Sequence, residues 1–146
     1  MGYREWFDRH GAKHNAIVAK LAHLSDEEII AYFRYDNMVI REPDFCPLYA
    51  QGKRCHEMED LNCYLCACPH FRFDDAGLER EGDFLRKSTC AIEAKEGDEI
   101  RHDEVIHHDC SACLLPHREA FIAREFDRDW FAIMVDVPPQ GFSERN

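Results

Sequence analysis

Between His14 and Leu24 the apolar residues Ile17, Val18, Leu21 and Leu24 recur at three- and four-residue intervals, the stripe of an amphipathic helix. Ser25-Asp26-Glu27-Glu28 then reads as a capping box, with Ser25 bonding first-turn amides and Glu28 reaching back. A second helix follows on Ile29, Ile30, Phe33, Met38 and Ile40, and Pro43 cannot continue it because proline lacks the amide and clashes with the preceding turn. From Asp44 to about Pro116 the periodicity is lost, over a stretch longer than an unsupported loop should be. Within it, Asp74 to Asp109 is strongly charged, carries Gly77, Gly82 and Gly97, and predicts a hairpin or excursion tied down only at Cys90. Pro116 can open a last helix at its first position, where a missing amide costs nothing, and Phe121, Ile122, Phe126, Trp130, Phe131 and Met134 give it an apolar side. Val137-Pro138-Pro139 stops it, and the tail from Gln140 to Asn146 is polar.

The expected fold is therefore small and mainly α, with two N-terminal helices, an irregular metal-stapled cysteine-rich middle and a C-terminal helix. The expected organisation is a single domain over residues 1–146: a helical front at 1–43, a cysteine-rich metal-binding region at 44–117, and a C-terminal helix and tail at 118–146.

Composition changes this picture in two ways. The hydrophobic fraction is 45%, cysteines included, so aliphatic material is thin for the length and cross-links would help hold the chain. The formal net charge of -11 opposes polyanion binding, since phosphate contacts need Lys and Arg, and a nucleic-acid zinc finger is disfavoured. The N-terminus has no apolar signal core, and no stretch approaches the roughly 20 apolar residues needed to span a bilayer. Gly2 does not complete a myristoylation pattern, because Trp6 stands where Ser or Thr is wanted. The expectation is an uncleaved cytoplasmic protein without membrane insertion. In that reducing compartment, clustered cysteines read as metal ligands rather than disulfides.

The eight cysteines are Cys46, Cys55, Cys63, Cys66, Cys68, Cys90, Cys110 and Cys113. Pairs at C-x2-C spacing present two sulfurs to one ion, because a tight turn brings both side chains to one side. Cys63 with Cys66, and Cys110 with Cys113, make two such pairs and together predict one four-sulfur site. Cys46, Cys55, Cys68 and Cys90 remain for a second, although Cys66 and Cys68, one residue apart, are expected to point in different directions. Cys46-Pro47 and Cys68-Pro69 echo the cysteine–proline ending of bacterial ferredoxin runs and tilt the expected cofactor toward one or two 4Fe-4S iron–sulfur clusters. Zinc is the alternative, since paired C-x2-C units are common zinc grammar and His56, His70 and His117 add nitrogen. His56 and His117 are placed either as ligands or as hydrogen-bond partners of a ligand sulfur. His102, His107 and His108, among Asp103, Glu104 and Asp109, offer a borderline-metal site but read more simply as a solvated surface, and His10, His14 and His23 as surface or core-edge residues.

The strings Phe45-Cys46-Pro47-Leu48-Tyr49, Cys55-His56, Leu61-Asn62-Cys63-Tyr64-Leu65-Cys66-Ala67-Cys68-Pro69 and Asp109-Cys110-Ser111-Ala112-Cys113-Leu114-Leu115-Pro116-His117 together resemble the cysteine-rich small domain family, which is zinc-finger-like. The resemblance covers about Phe45 to Phe121. It implies a metal-binding core made of Cys46, Cys55, Cys63, Cys66, Cys68, Cys110, Cys113 and His117, and implies no catalytic residue. The chain departs from the family pattern at Cys90, which is followed by Ala91 and Ile92 where two glycines are usual.

Eight thiolates on a strongly acidic chain lead to the expectation of a metalloprotein acting in electron transfer or cofactor handling for a larger protein partner, drawn to it by electrostatic steering. The alternative is a zinc-stabilised interaction module, for which Phe121, Phe126, Trp130 and Phe131 are either a partner surface or simply core. A metal-dependent enzyme, or one with Cys90 as nucleophile activated by Lys87 and Arg86 and served by Glu93, Glu96, Asp98 or Glu99, is the third class.

Overall fold

The computed structural model describes residues 3–56, 58–66, 68–92, 98–109 and 113–139. Cys110, Glu93, Glu96, Gly97 and the expected tail fall outside these. Among the described residues the fold is mixed α/β, which corrects the mainly α expectation: five α-helices and two sheets are present, and the C-terminal part is two short helices rather than one.

Helix α1 (Tyr3–Lys20) starts well before the stripe that announced it and buries Phe7, His10, Gly11, His14, Ile17 and Val18 along one face. His10 and His14 are thus core residues, against the surface or core-edge expectation. Gly11 lies where the helix meets the C-terminal segment, and a Cβ there would collide with the rings of Phe131 and Trp130. Helix α2 (Asp26–Tyr32) begins on the expected capping box: Ser25 Oγ accepts from the Glu28 amide at 3.2 Å, and Glu28 Oε1 accepts from the Ser25 amide at 2.9 Å. The chain breaks at Phe33-Arg34 and resumes as α3 (Tyr35–Arg41), so the single second helix of the sequence pattern is two.

After a 3-10 turn at Tyr49–Gln51, Gly52 takes a left-handed conformation (φ +64°) that lets the chain turn back toward Cys55. The charged middle is the largest departure from expectation. Strands β1 (Phe71–Phe73) and β4 (Ser88–Cys90) pair antiparallel, placing Phe71 opposite Cys90. Strands β2 (Glu79–Glu81), β3 (Phe84–Arg86), β5 (Asp98–His102) and β6 (Val105–Asp109) form a second sheet in the order β2-β3-β6-β5, parallel only between β3 and β6. Its strands are three to five residues long and largely charged, and Arg86 links them across the sheet, meeting Glu81 and Glu99 at 2.6 Å each. Hydrophobic alternation could not announce strands so short and so charged, in which Arg86 and its carboxylates hold much of the sheet and Leu85 opposite Val105 is an apolar pair.

This region is also anchored beyond Cys90. Asp75 accepts the Tyr3 and Arg4 amides at the start of α1 at 3.0 Å each, and the Phe73 amide donates to the Val137 carbonyl at 3.1 Å. A second 3-10 turn (Leu115–His117) leads into α4 (Glu119–Glu125), and after Phe126–Asp129 the chain forms α5 (Trp130–Ile133). Phe121 and Trp130 are buried, with Phe126 and Phe131 packed against the same core as Phe7, Phe33, Tyr64 and Met38. The C-terminal aromatics are core. No helix among the described residues is long and apolar enough to cross a membrane.

Candidate metal centre

The break between α2 and α3 is what positions the cysteine loop. Freed from the helix, the Phe33 carbonyl accepts the Cys63 amide at 2.8 Å and the Tyr35 amide donates to the Leu61 carbonyl at 3.0 Å. Asn62, wholly buried between them, fixes the loop on both sides. Its side-chain amide donates to the Ile30 carbonyl (2.8 Å) and to Glu119 (3.0 Å), and its side-chain oxygen accepts the Tyr64 amide (2.9 Å). Arg34 grips Glu119 at 2.7 and 2.9 Å and, with Asn62, holds its carboxyl below the usual carboxylate range against the opposing effect of burial. The start of α4 is thereby locked to the cysteine loop, and His117 lies just before it.

His117 is 2% exposed, and Nδ1 lies 2.8 Å from the Asn62 main-chain carbonyl. A carbonyl only accepts, so Nδ1 carries the hydrogen and Nε2 presents its lone pair. Burial lowers the pKa of the ring to about 4, keeping it neutral near pH 7. Nε2 stands 3.7 Å from Cys55 Sγ, and His56 Nδ1 is 3.2 Å from the same sulfur. The donor atoms of Cys55, His56 and His117 all lie within 4.8 Å of one another. A neutral His117 has no Nε2 hydrogen to give a sulfur, so the Cys55 thiol donates to it.

Three further thiols, Cys46, Cys63 and Cys66, lie near enough to act electrostatically on Cys55 or on one another. Burial, then the charges of Cys63 and Cys46, push the Cys55 thiol up to about 11. Cys66 is raised by its contact with Cys63, by burial and by the charges of Cys63, Cys55 and Cys46. Cys66 and the hydroxyl of Tyr49 hold the Cys63 thiol below its ordinary range, outweighing burial. The Cys66 thiol also lies 3.1 Å from the Cys63 carbonyl. The Tyr49 hydroxyl is buried without a conventional hydrogen-bond partner, and burial and these thiols raise its own pKa.

Cys68 belongs elsewhere. Its thiol, pushed up to about 11 chiefly by burial, is acted on by Cys90 and Cys113. It lines a small cavity with both. The expected pairing of Cys63 and Cys66 with Cys110 and Cys113 includes Cys110, which lies outside the described residues; Cys113 shares that cavity with Cys68 and Cys90, while Cys46, Cys55, Cys63 and Cys66 act on one another. Spacing could not reveal this, because β1, β4 and β6 bring the second set together across the charged region. The seven described cysteines are all free thiols. Arg86, expected beside the Cys90 thiol, is engaged by Glu81 and Glu99. Asn62 and Tyr49 stand within the quoted cysteine strings, yet nothing in the pattern gave either a role, since both act through contacts that only the folded chain creates.

No protein-family model, curated protein or solved structure matches this chain. The resemblance to the cysteine-rich small domain family rests on the cysteine strings alone.

Proposed function

We propose that this protein binds one tetrahedral metal ion of the zinc class through Cys55, His56 and His117, with the adjoining thiols of Cys46, Cys63 and Cys66 as the source of the closing ligand. The observation that carries this reading is the His117 ring, whose Nδ1 is committed to the Asn62 carbonyl and whose Nε2 is presented to Cys55. Two donors bound to one tetrahedral ion at the usual zinc distances lie roughly 3.3–3.8 Å apart. The 3.7 Å and 3.2 Å separations around Cys55 are close to that range. The carbonyl on the far nitrogen is the outer contact that orients a ligating histidine. A closed site of this kind is structural: it fastens the loop of Cys55 and the Cys63 turn to the entry of α4 and contributes folding energy directly.

In this reading the protein is a zinc-stabilised interaction module, and its net charge of -11 suits a protein partner with a basic face, not nucleic acid. Elemental analysis of protein purified without added metal tests it, together with cobalt substitution, which reports tetrahedral sulfur–nitrogen ligation in the visible spectrum. His117→Ala is expected to weaken zinc binding at this centre by at least about 100-fold, beyond the 10–100-fold typical of an outer contact. Unchanged affinity in that variant overturns the reading.

One observation favours a second reading. Cys46, Cys55, Cys63 and Cys66 act on one another as a four-thiol group, the donor count of a 4Fe-4S cluster. The protein would then serve electron transfer or cofactor handling for a larger enzyme. Iron with inorganic sulfide and broad visible absorption in anaerobically purified material favours the cluster, and colourless zinc-bearing protein rejects it.

A further inference from the structure

We infer a second metal centre, separate from the first, in which Cys68, Cys90 and Cys113 supply three thiolates and His108 the fourth donor to a single zinc-class ion. The placement follows from strand geometry. Side chains two apart on a strand share a face, so His108 lies on the face of Ile106, which is wholly buried, while His107 is exposed on the other. Of the three clustered histidines, His108 alone lines the cavity that also receives Cys68, Cys90 and Cys113.

Two backbone contacts hold these donors together. The His108 amide donates to Ser88 Oγ at 2.7 Å, setting β6 against β4, the strand that ends at Cys90. Phe71 pairs with Cys90, bringing in the turn that carries Cys68. The donors thus come from three segments remote in sequence, closed over by Phe71 and Leu115.

The cavity is about 20 Å³, room for one water-sized body and so for one ion, not a four-iron cluster. Three sulfurs and an imidazole in an apolar wall select a soft or borderline ion, and Cys3His is an established structural zinc set. Among the described residues only Cys55, His56 and His117 have donor atoms all within 4.8 Å of one another. The second set is therefore the wider, and an ion draws it inward, fastening β1, β4 and β6 to the segment before α4. Binding releases the thiol protons to solvent and changes no oxidation state.

The inference does not depend on the first centre. Reduced full-length protein is titrated with zinc, counted by native mass spectrometry, and each cysteine's protection from iodoacetamide is mapped by peptide mass spectrometry. Two equivalents are expected, the second protecting Cys68, Cys90 and Cys113. His108→Ala is expected to weaken the second equivalent at least tenfold and spare the first, whereas His117→Ala does the reverse. Equal alkylation of Cys68, Cys90 and Cys113 with and without two equivalents of zinc overturns the inference in the unmutated chain, whatever the folding of any variant. Loss of the second equivalent in Cys110→Ser with none in His108→Ala overturns the assignment of His108. Protection of Cys90 that persists while His117→Ala loses no zinc leaves this centre standing and sinks the first.

Discussion

The two histidines buried by α1 make stability depend on pH in a window that carboxylates do not share. Burial first, then the Lys13 charge, lowers His10 to about 4. Burial, then His10, lowers His14 to about 3, outweighing the bond between its Nε2 and the Tyr64 carbonyl at 2.9 Å. His10 Nε2 and His14 Nδ1 are buried without hydrogen-bond partners, so neither ring has a place for the second proton. Below the unfolded value of about 6.5 the unfolded chain binds protons that the folded chain refuses. Stability from these rings is therefore fully present above about pH 7 and falls as pH drops toward 4 and then 3. At pH 5 each histidine costs about 2 kcal/mol relative to pH 8, about 4 kcal/mol for the pair, a large part of the 5–15 kcal/mol typical of a domain. The depressed carboxyls of Glu28, Glu81, Glu99 and Glu119 withdraw their support only below about pH 4.5 and do not confuse the window. Urea unfolding followed by tryptophan fluorescence at pH 8, 6 and 5 measures the loss in wild type and in His10→Gln/His14→Gln. With a urea slope of about 2 kcal/mol/M, the wild-type midpoint should fall about 2 M further than that of the double variant. Equal falls would refute the assignment of these rings as neutral core residues.

Asn62→Ala leaves the Tyr64 amide and the Ile30 carbonyl without their side-chain partner; a loss of about 2–3 kcal/mol and weaker zinc binding at His117 are expected, from denaturant unfolding and zinc titration. Gly11→Ala drives a methyl into Phe131 and Trp130, and the overpacking, about 1–3 kcal/mol, outweighs the roughly 1 kcal/mol helix-propensity gain; a rise in Tm would contradict it. Asp75→Ala removes the carboxylate that accepts the Tyr3 and Arg4 amides, for a cost of about 1 kcal/mol and faster hydrogen exchange in the first turn of α1. Arg86→Gln removes the cation that Glu81 and Glu99 share, so hydrogen exchange should quicken in β2, β3, β5 and β6 while α2 is unchanged; uniform protection would count against an ion-paired sheet.

Legibility in the sequence followed the range of the interactions involved. The capping box at Ser25 and Glu28 is complete within four residues and was readable as such. The closeness of Cys63 and Cys66 was readable too, because a tight turn of that kind is local. The division into two sets was not, since it depends on Phe71 pairing with Cys90 and on Ser88 meeting the His108 amide. The strands escaped notice because Glu79-Arg80-Glu81 and Asp98 to His102 present charges where apolar alternation is the usual signal. His10 and His14 share the α1 face of Phe7, Ile17 and Val18, and counting imidazole as polar hid the first half of that stripe.

The broken second helix shows why local pattern and tertiary demand part company at this site. Over Ile29 to Ile40 the apolar spacing suits one continuous helix, whose ladder would take the Phe33 carbonyl and the Tyr35 amide for itself. Both groups instead hold the Leu61–Cys63 loop. The carbonyls at the break keep partners: Ile30 and Ala31 accept the Phe33 and Arg34 amides at 3.1 Å each, and in addition the Asn62 side chain donates to Ile30 at 2.8 Å and the Asn37 side chain to Ala31 at 2.9 Å. The Ile30, Ala31 and Phe33 carbonyls and the Tyr35 amide thus keep partners at ordinary hydrogen-bond lengths, which limits the cost of the break. What it adds is the register that sets the Asn62 carbonyl against His117, and with it the direction in which Nε2 meets Cys55. Two asparagines at positions 37 and 62, unremarkable in the sequence, supply side-chain donors to the carbonyls where the helix stops beside the cysteine loop.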